Sequence, residues 1–459
     1  MEAGVPSEGM DRRRFLRQAA AAAGAALSVT GAAQPGLAAG SGSGGDGARN
    51  DGGGARNNRG PGALSAGTGP HPDLEEVTIA DLRERLDEGR CTAVDLVRRY
   101  RERIEALDRN GPALRSVLEL NPDAEEIAAA LDAERRAGRT RGPLHGIPIL
   151  IKDNIDTADR MLTTAGSLAL TGSRPARDAG VVEKLRAAGA VLLGKTNLSE
   201  WANIRSTRST SGWSGRGGQT RNPYVITRNP CGSSSGSAVA VSANLCAAAL
   251  GTETDGSIVC PAHANGVVGV KPTVGLTSRA GVVPIAHSQD TVGPHARTVR
   301  DVAILLGAIA GSDPRDPATA EAGEGGTADY ARFLDPDGLR GARVGVARQG
   351  FFGYSPHADQ IVEGALEAMR SLGAVVVDPA DLPTVGEIFA SPAELTVLLH
   401  ELKADLDAYL ASRKSDPRSP GGPAAGSLAE VIAFNEAHRR EEMPFFGQEL
   451  FLEAQAKGP

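Results

Sequence analysis

The sequence predicts an α/β protein, and three observations carry that expectation. Helical and strand-like segments alternate through the chain after Lys152. The run Gly146 to Ile151, G-I-P-I-L-I, is apolar along its length, as a strand covered on both faces is. With 459 residues, 41% of them hydrophobic, the chain can bury a large core, as one big domain or two ordinary ones.

Taken in order, the chain opens with Arg12-Arg13-Arg14-Phe15-Leu16-Arg17, followed by the weakly apolar run Ala19 to Val29 and cleavage options at Ala38 or Ala39. This reads as a twin-arginine export signal over residues 1–39, and it implies a periplasmic or extracellular location. The run is too short and too weakly hydrophobic for a transmembrane span, so no membrane association is expected after cleavage. Residues 40–73, rich in Gly, Asn, Arg and Ser, read as a disordered linker. The folded domain is expected over 74–459.

Thr78-Ile79-Ala80-Asp81 and Thr92-Ala93-Val94-Asp95 each place a threonine N-cap three residues before a carboxylate, with Gly89 suited to end the first helix. In the second helix Val97, Tyr100, Ile104 and Leu107 recur at helical spacing and read as core. After Lys152 come a helix over Val181 to Ala188, a strand over Ala190 to Leu193 and a Gly/Ser-rich loop from Ser206 to Gln219. A small-residue helix and a short apolar strand then separate two Gly-rich turns. Beyond them a helix is expected over Val299 to Ala310, an acidic Gly-rich loop near Ala318 to Ala328, and a strand over Arg343 to Ala347. A helix over Gln360 to Ser371, a strand over Ala374 to Val377 and a helical tail complete the chain.

Composition excludes several classes. A net charge of −7 with 3% aromatic residues offers neither the basic patch nor the stacking surfaces that nucleic acid needs. The eight histidines show no metal-ligand spacing, so neither metal nor organic cofactor is expected; His287 and His295, which flank S-Q-D-T-V-G-P, read as satisfied side chains. Gly189 to Thr196 matches a phosphate-binding loop letter for letter. Its four variable residues, A-V-L-L, are themselves the strand, and a nucleotide-binding ATPase is set aside on that ground. Four cysteines are too few for a disulfide scaffold, but Cys231 and Cys260 each stand within three residues of a serine singled out below. They are expected to lie near one another, with a bridge between them left open.

The chemistry concentrates in Pro230 to Pro261. Serines there occupy two Gly-rich turns, Gly232 to Ser237 and Gly251 to Ser257, where glycine lets the backbone present a hydroxyl and its neighbouring N–H groups together. That suits a nucleophile with an oxyanion hole. No histidine and carboxylate accompany the serines as a Ser-His-Asp triad requires. Lys152, at the end of the buried strand, is the better base. A free lysine titrates at about 10.4, so work near neutrality asks burial for a depression worth roughly 3 to 4 kcal/mol.

G-I-P-I-L-I-K-D-N, G-S-S-S-G-S and G-T-E-T-D-G-S-I together resemble the amidase signature family, and within it the peptide amidases. The likeness covers roughly Leu74 to Ala456. It implies a mixed β-sheet sandwiched between helices and hydrolysis of linear amides, with a small amide or amidated peptide as substrate and ammonia as product. By the resemblance the catalytic lysine falls on Lys152, a serine after a cis peptide bond on Ser233 and the nucleophile on Ser257, 24 positions on. The N–H groups of Thr254, Asp255, Gly256 and Ser257 would hold the oxyanion. Cys231 and Asp255 depart from the common family pattern in the manner of the peptide amidase branch. Similar proteins continue beyond the equivalent of Phe445 to Ala456, so a C-terminally shortened domain with a partly uncovered apolar stretch at Phe445, Phe446, Leu450, Phe451 and Leu452 is expected. Rival readings are an amidotransferase-type subunit of the same family and an exported binding protein without turnover. The oligomeric state is not legible.

Overall fold

A computed structural model of the protein describes residues 69–322, 329–415 and 425–457. The segments expected to form an export signal and most of the expected linker, with part of the acidic loop, lie outside the described residues.

Both threonine caps form as the sequence predicts. Thr78 and Thr92 close capping boxes with Asp81 and Asp95 at the starts of α1 (Ile79–Asp87) and α2 (Ala93–Arg103), and Gly89 follows α1 with φ +68°. The second helix runs on as a π-helical segment over Ile104–Arg109. An edge strand, β1 (Val117–Leu120), and a helix, α3 (Ala124–Arg136), precede β2 (Pro148–Lys152). Then follow α4 (Gly180–Ala187), β3 (Val191–Thr196), the hairpin β4 (Trp213–Ser214) and β5 (Gly218–Gln219), and α5 (Ser235–Ser242). Next come β6 (Ala248–Glu253), α6 (Val259–Ala264), β7 (Val268–Gly269), β8 (Thr291–Ala296) and α7 (Val299–Ile309).

One six-stranded mixed sheet organises the molecule, in the order β1-β3-β2-β6-β8-β7. The inner strands β3, β2 and β6 are parallel, while β1, β8 and β7 run antiparallel to their neighbours. Every residue of β2, β3 and β6 is buried, which is why their sequences read as small and apolar runs until the carboxyl ends, where Lys152, Lys195-Thr196 and Thr252-Glu253 stand. Parallel strands end along one edge of a sheet, so the carboxyl ends of β2, β3 and β6 deliver their following loops to the same place. That edge carries the site.

Two strands differ from expectation. β3 extends to Thr196, so all of the supposed phosphate loop after Ala190 is strand; buried Lys195 donates to the Ile155 carbonyl at 2.6 Å and to Thr163 Oγ1 at 2.8 Å. β8, T-V-G-P-H-A, carries a glycine and a proline and has no strand-like pattern, yet it pairs along its whole length with β6.

The C-terminal part holds β9 (Arg343–Gly345), α8 (Pro356–Ser371), β10 (Val375–Val377), α9 (Val385–Ala390), α10 (Ala393–Ser415), α11 (Leu428–Ala437), α12 (Arg439–Glu442) and α13 (Glu449–Gln455). β9 and β10 pair in parallel with each other and not with the large sheet. A second apolar core joins Leu398, Leu402 and Leu406 of α10 with Leu450 and Phe451 of α13, the loop residues Trp201 and Ile204, and Val283 and Ile285. Of the apolar stretch near the end, Phe446, Leu450 and Phe451 are buried, whereas Phe445 and Leu452 are exposed.

Candidate active site

Three separate segments meet beyond the parallel strand ends. Lys152 is the last residue of β2 and is fully buried. Its Nζ donates to Ser233 Oγ at 2.7 Å, to Thr252 Oγ1 at 2.8 Å and to the Thr252 carbonyl at 3.3 Å. Asn154 Nδ2 donates to the same Thr252 hydroxyl at 2.9 Å. Desolvation lowers the Lys152 ammonium to about 7, against the smaller opposing pull of the Asp290 and Glu253 charges.

Ser233 stands just ahead of α5, and the Gly232–Ser233 peptide bond is cis. The serine turn is packed between neighbours. Ser199 N–H donates to the Ser233 carbonyl at 3.0 Å, and a Cβ on Gly236 would run into the carbonyl oxygens of Ser116 and Asn197.

Ser257 stands in the turn that leads from β6 into α6, where Gly256 takes φ +71°. The two serine turns are stitched together. Ser234 N–H donates to the Ser257 carbonyl at 3.1 Å, Ser234 Oγ donates to the Thr252 carbonyl at 3.0 Å, and Thr252 N–H donates back to Ser234 Oγ at 3.2 Å. A disulfide joins Cys231 to Cys260, with Cα atoms 6.0 Å apart, so the bridge left open by the sequence is present. Cys91 and Cys246 are free and buried. The Ser233 and Ser257 hydroxyls share no direct hydrogen bond.

The turn after β6 is held at both ends and bare in the middle. Glu253, inside the strand end, accepts from Ile258 N–H at 2.6 Å and Val259 N–H at 3.0 Å. Thr254 Oγ1 donates to Asp290 Oδ1 at 2.5 Å, while Asp290 Oδ2 accepts from Ile285 N–H at 2.8 Å and Ala286 N–H at 3.1 Å. Among the described residues, the backbone N–H groups of Thr254, Asp255, Gly256 and Ser257 find no acceptor. Four such donors on one turn suit an oxygen that acquires negative charge. Desolvation pushes the Asp290 carboxyl up to about 6. The Asp255 side chain is exposed, and its carboxyl is raised by desolvation and by the Glu394 and Glu253 charges.

Of the two histidines read as satisfied side chains, His287 is paired, whereas His295 is satisfied at one ring nitrogen only, its Nδ1 being buried without a hydrogen-bond partner. His295 is buried beneath the sheet edge, with Nε2 3.1 Å from the Ile258 carbonyl, and burial lowers it to about 4. His287 is exposed and pairs with Asp405 at 2.9 Å and Glu401 at 3.4 Å; these three are the metal-capable group found among the described residues. Asn154, Thr252 and Asp290 were not singled out by sequence reasoning. The first two lie inside the K-D-N and G-T-E-T-D-G-S-I motifs, and Asp290 lies between His287 and His295.

A buried lysine bonded to one serine, next to a second serine on a turn of unused N–H groups, is the equipment of acyl transfer without a metal. The chain belongs to the amidase family, whose model matches residues 95–442. A probable amidase of Arabidopsis thaliana is 47% identical over 392 residues, covering 83% of this chain and 72% of the relative. The solved peptide amidase from Stenotrophomonas maltophilia is 56% identical, with a TM-score of 0.78 over 84% of this chain and 76% of that one. A glutamyl-tRNA(Gln) amidotransferase subunit of Chloroflexus aurantiacus is 45% identical over 339 residues, 73% of this chain and 66% of the relative. The mixed sheet with its helices is the fold of these neighbours, and amide hydrolysis is the reaction class.

Proposed function

We propose that this enzyme hydrolyses the C-terminal amides of peptides and releases ammonia. Ser257 Oγ attacks the amide carbonyl and passes its proton to Ser233 Oγ, whose own proton goes to the lone pair of neutral Lys152. The carbonyl oxygen, now an oxyanion, sits among the N–H groups of Thr254 to Ser257. Collapse breaks the C–N bond, and the relay returns a proton to the departing nitrogen. Water then attacks the Ser257 ester by the same relay, giving the free carboxylate. The hydrogen bond from Lys152 to Ser233 carries this reading. The missing contact between the two hydroxyls is consistent with it, since catalytic hydrogen bonds often tighten only when substrate is bound.

The 56% identity to a peptide amidase supports the substrate class. Export through the twin-arginine route belongs to the same proposal, and the Cys231–Cys260 bridge supports it because disulfides persist in oxidising compartments. Likeness to the amidotransferase favours a second reading, ammonia release from glutamine for a partner. One assay separates them: ammonia release from amidated peptides, simple aliphatic and aromatic amides, and free Asn and Gln. Amidated peptides are expected to be preferred, with no internal cleavage by mass spectrometry. Internal cleavage, or a preference for free Gln, contradicts the proposal.

A further inference from the structure

The turn that offers four N–H groups is tied at its far end, where the Ser257 carbonyl accepts from Ser234 N–H and the Gly256 carbonyl from Cys260 N–H, and at its start through the Thr254 side chain. It has left its β6 ladder at Glu253 and entered α6 only at Val259, and Gly256 within it has no side chain to pack. Donors of an oxyanion hole act through preorganisation, so a turn free to shift by a few tenths of an ångström loses part of its effect.

Thr254, the first residue of the turn, is half-buried, and its hydroxyl is taken up by Asp290 at 2.5 Å. Asp290 is itself buried and bonded by its other oxygen to the N–H groups of Ile285 and Ala286. Those residues belong to a loop that is doubly fixed. Val283 and Ile285 pack with Leu402 and Leu406 in the second core. His287, Ser288 and Gln289 are bonded to Asp405, Glu401 and Glu394, all on α10.

We propose that Asp290 is a positioning residue, which through the Thr254 hydroxyl fixes the oxyanion turn to the α10-anchored loop and so aligns N–H groups it does not itself supply. The inference rests on the hydrolytic reading above and adds to it a residue outside the three motifs. It also gives the C-terminal helix α10 a part in the geometry of the site.

Thr254 separates positioning from other roles of the carboxylate, because Thr254→Val deletes the link while leaving Asp290 and the backbone donors in place. Thr254→Val is expected to lower kcat for an amidated peptide about 10- to 100-fold, with KM within about threefold of wild type. Thr254→Ser, which keeps the hydroxyl, should stay within about threefold in both. Asp290→Ala, which removes the partner of the Thr254 hydroxyl, should lose at least as much as Thr254→Val, and the double variant should fall no further than Asp290→Ala alone, as expected of two groups acting through one contact. A peptide aldehyde, whose adduct with Ser257 carries the oxyanion, should bind Thr254→Val more weakly by about the same factor as kcat falls. A merely structural role would not produce that match.

Wild-type labelling of Ser257 by a fluorophosphonate, located by mass spectrometry, is measured alongside. If wild type neither labels nor releases ammonia, the hydrolytic reading fails and takes this inference with it. If wild type is active and Thr254→Val retains kcat within about twofold, or loses kcat without weakening the aldehyde, the inference alone is overturned.

Discussion

Lys152 is an ordinary lysine whose charge is weakened by where it sits. Water cannot reach it, its charged form is therefore disfavoured, and it is lowered to about 7. Asp290 and Glu253 oppose this from the neighbouring strand ends, and His295 lies close enough to feel its charge. Only neutral lysine can accept the Ser233 proton, so kcat/KM should rise about tenfold per pH unit below about 7 and level off above it. A profile already flat at pH 5 would remove Lys152 from the role of base. Lys152→Ala should lower kcat by at least about 100-fold, since proton transfer by a placed group contributes that much or more. These residues were legible because their roles attach to short motifs. Asp290 was not, because nothing near it in sequence announces that Thr254 will be its partner.

At the scale of elements, the site is two turns and a strand end. The strand end is fixed by β2 pairing with β3 and β6, and the turns by the Ser234 hydrogen bonds and the Cys231–Cys260 bridge. The bridge closes a chain separation of 29 residues, for which restriction of the unfolded chain contributes about 3 to 4 kcal/mol. Thiol titration of the denatured, unreduced protein should find two thiols, those of Cys91 and Cys246. Replacing both bridged cysteines by alanine should lower stability in urea by about that amount and lower kcat as the two turns loosen. Four titratable thiols would overturn the bridge. The proximity of the cysteines was legible from their positions beside the two serines, whereas β8 was not legible at all. Gly293, Pro294 and His295 conceal it, and only pairing with β6 makes it a strand.

Across the whole molecule, the C-terminal helices are tied to the loops around the site through buried charge. Arg205 is fully buried, paired with Glu200 and 3.8 Å from Glu442 of α12, with its guanidinium 4.4 Å from the centre of the Phe446 ring. Glu442 accepts from Leu168 N–H at 2.6 Å, and Glu200 from Gly215 N–H at 2.6 Å. Burial first, and the Glu442 charge next, push the Glu200 carboxyl well above the usual carboxylate range. Arg205→Met would leave two buried carboxyl groups facing each other, and should cost about 3 to 5 kcal/mol in urea unfolding at neutral pH. A raised carboxyl is most favourable to the fold when protonated, so the loss should shrink as pH falls. A loss below about 1 kcal/mol at neutral pH would show that the network contributes little.

What the sequence determined by itself was local. Capping boxes at Thr78 and Thr92, glycines that permit positive φ, an apolar run that must be buried and serines on Gly-rich turns all follow from interactions within a few residues. Those suffice to name Lys152 and the two serine turns as candidates, and resemblance to the amidase signature family singles out Ser233 and Ser257 within the turns. The tertiary structure alone decided that the three meet, because parallel pairing of β2, β3 and β6 brings loops distant in sequence to one sheet edge. It alone decided which charges surround them: Asp290 reaches Thr254 through the antiparallel pairing of β6 with β8, and α10 holds the loop through carboxylates more than 100 residues further on. Hydrogen bonding and burial between distant segments depend on register, and register is set by packing the whole sheet at once.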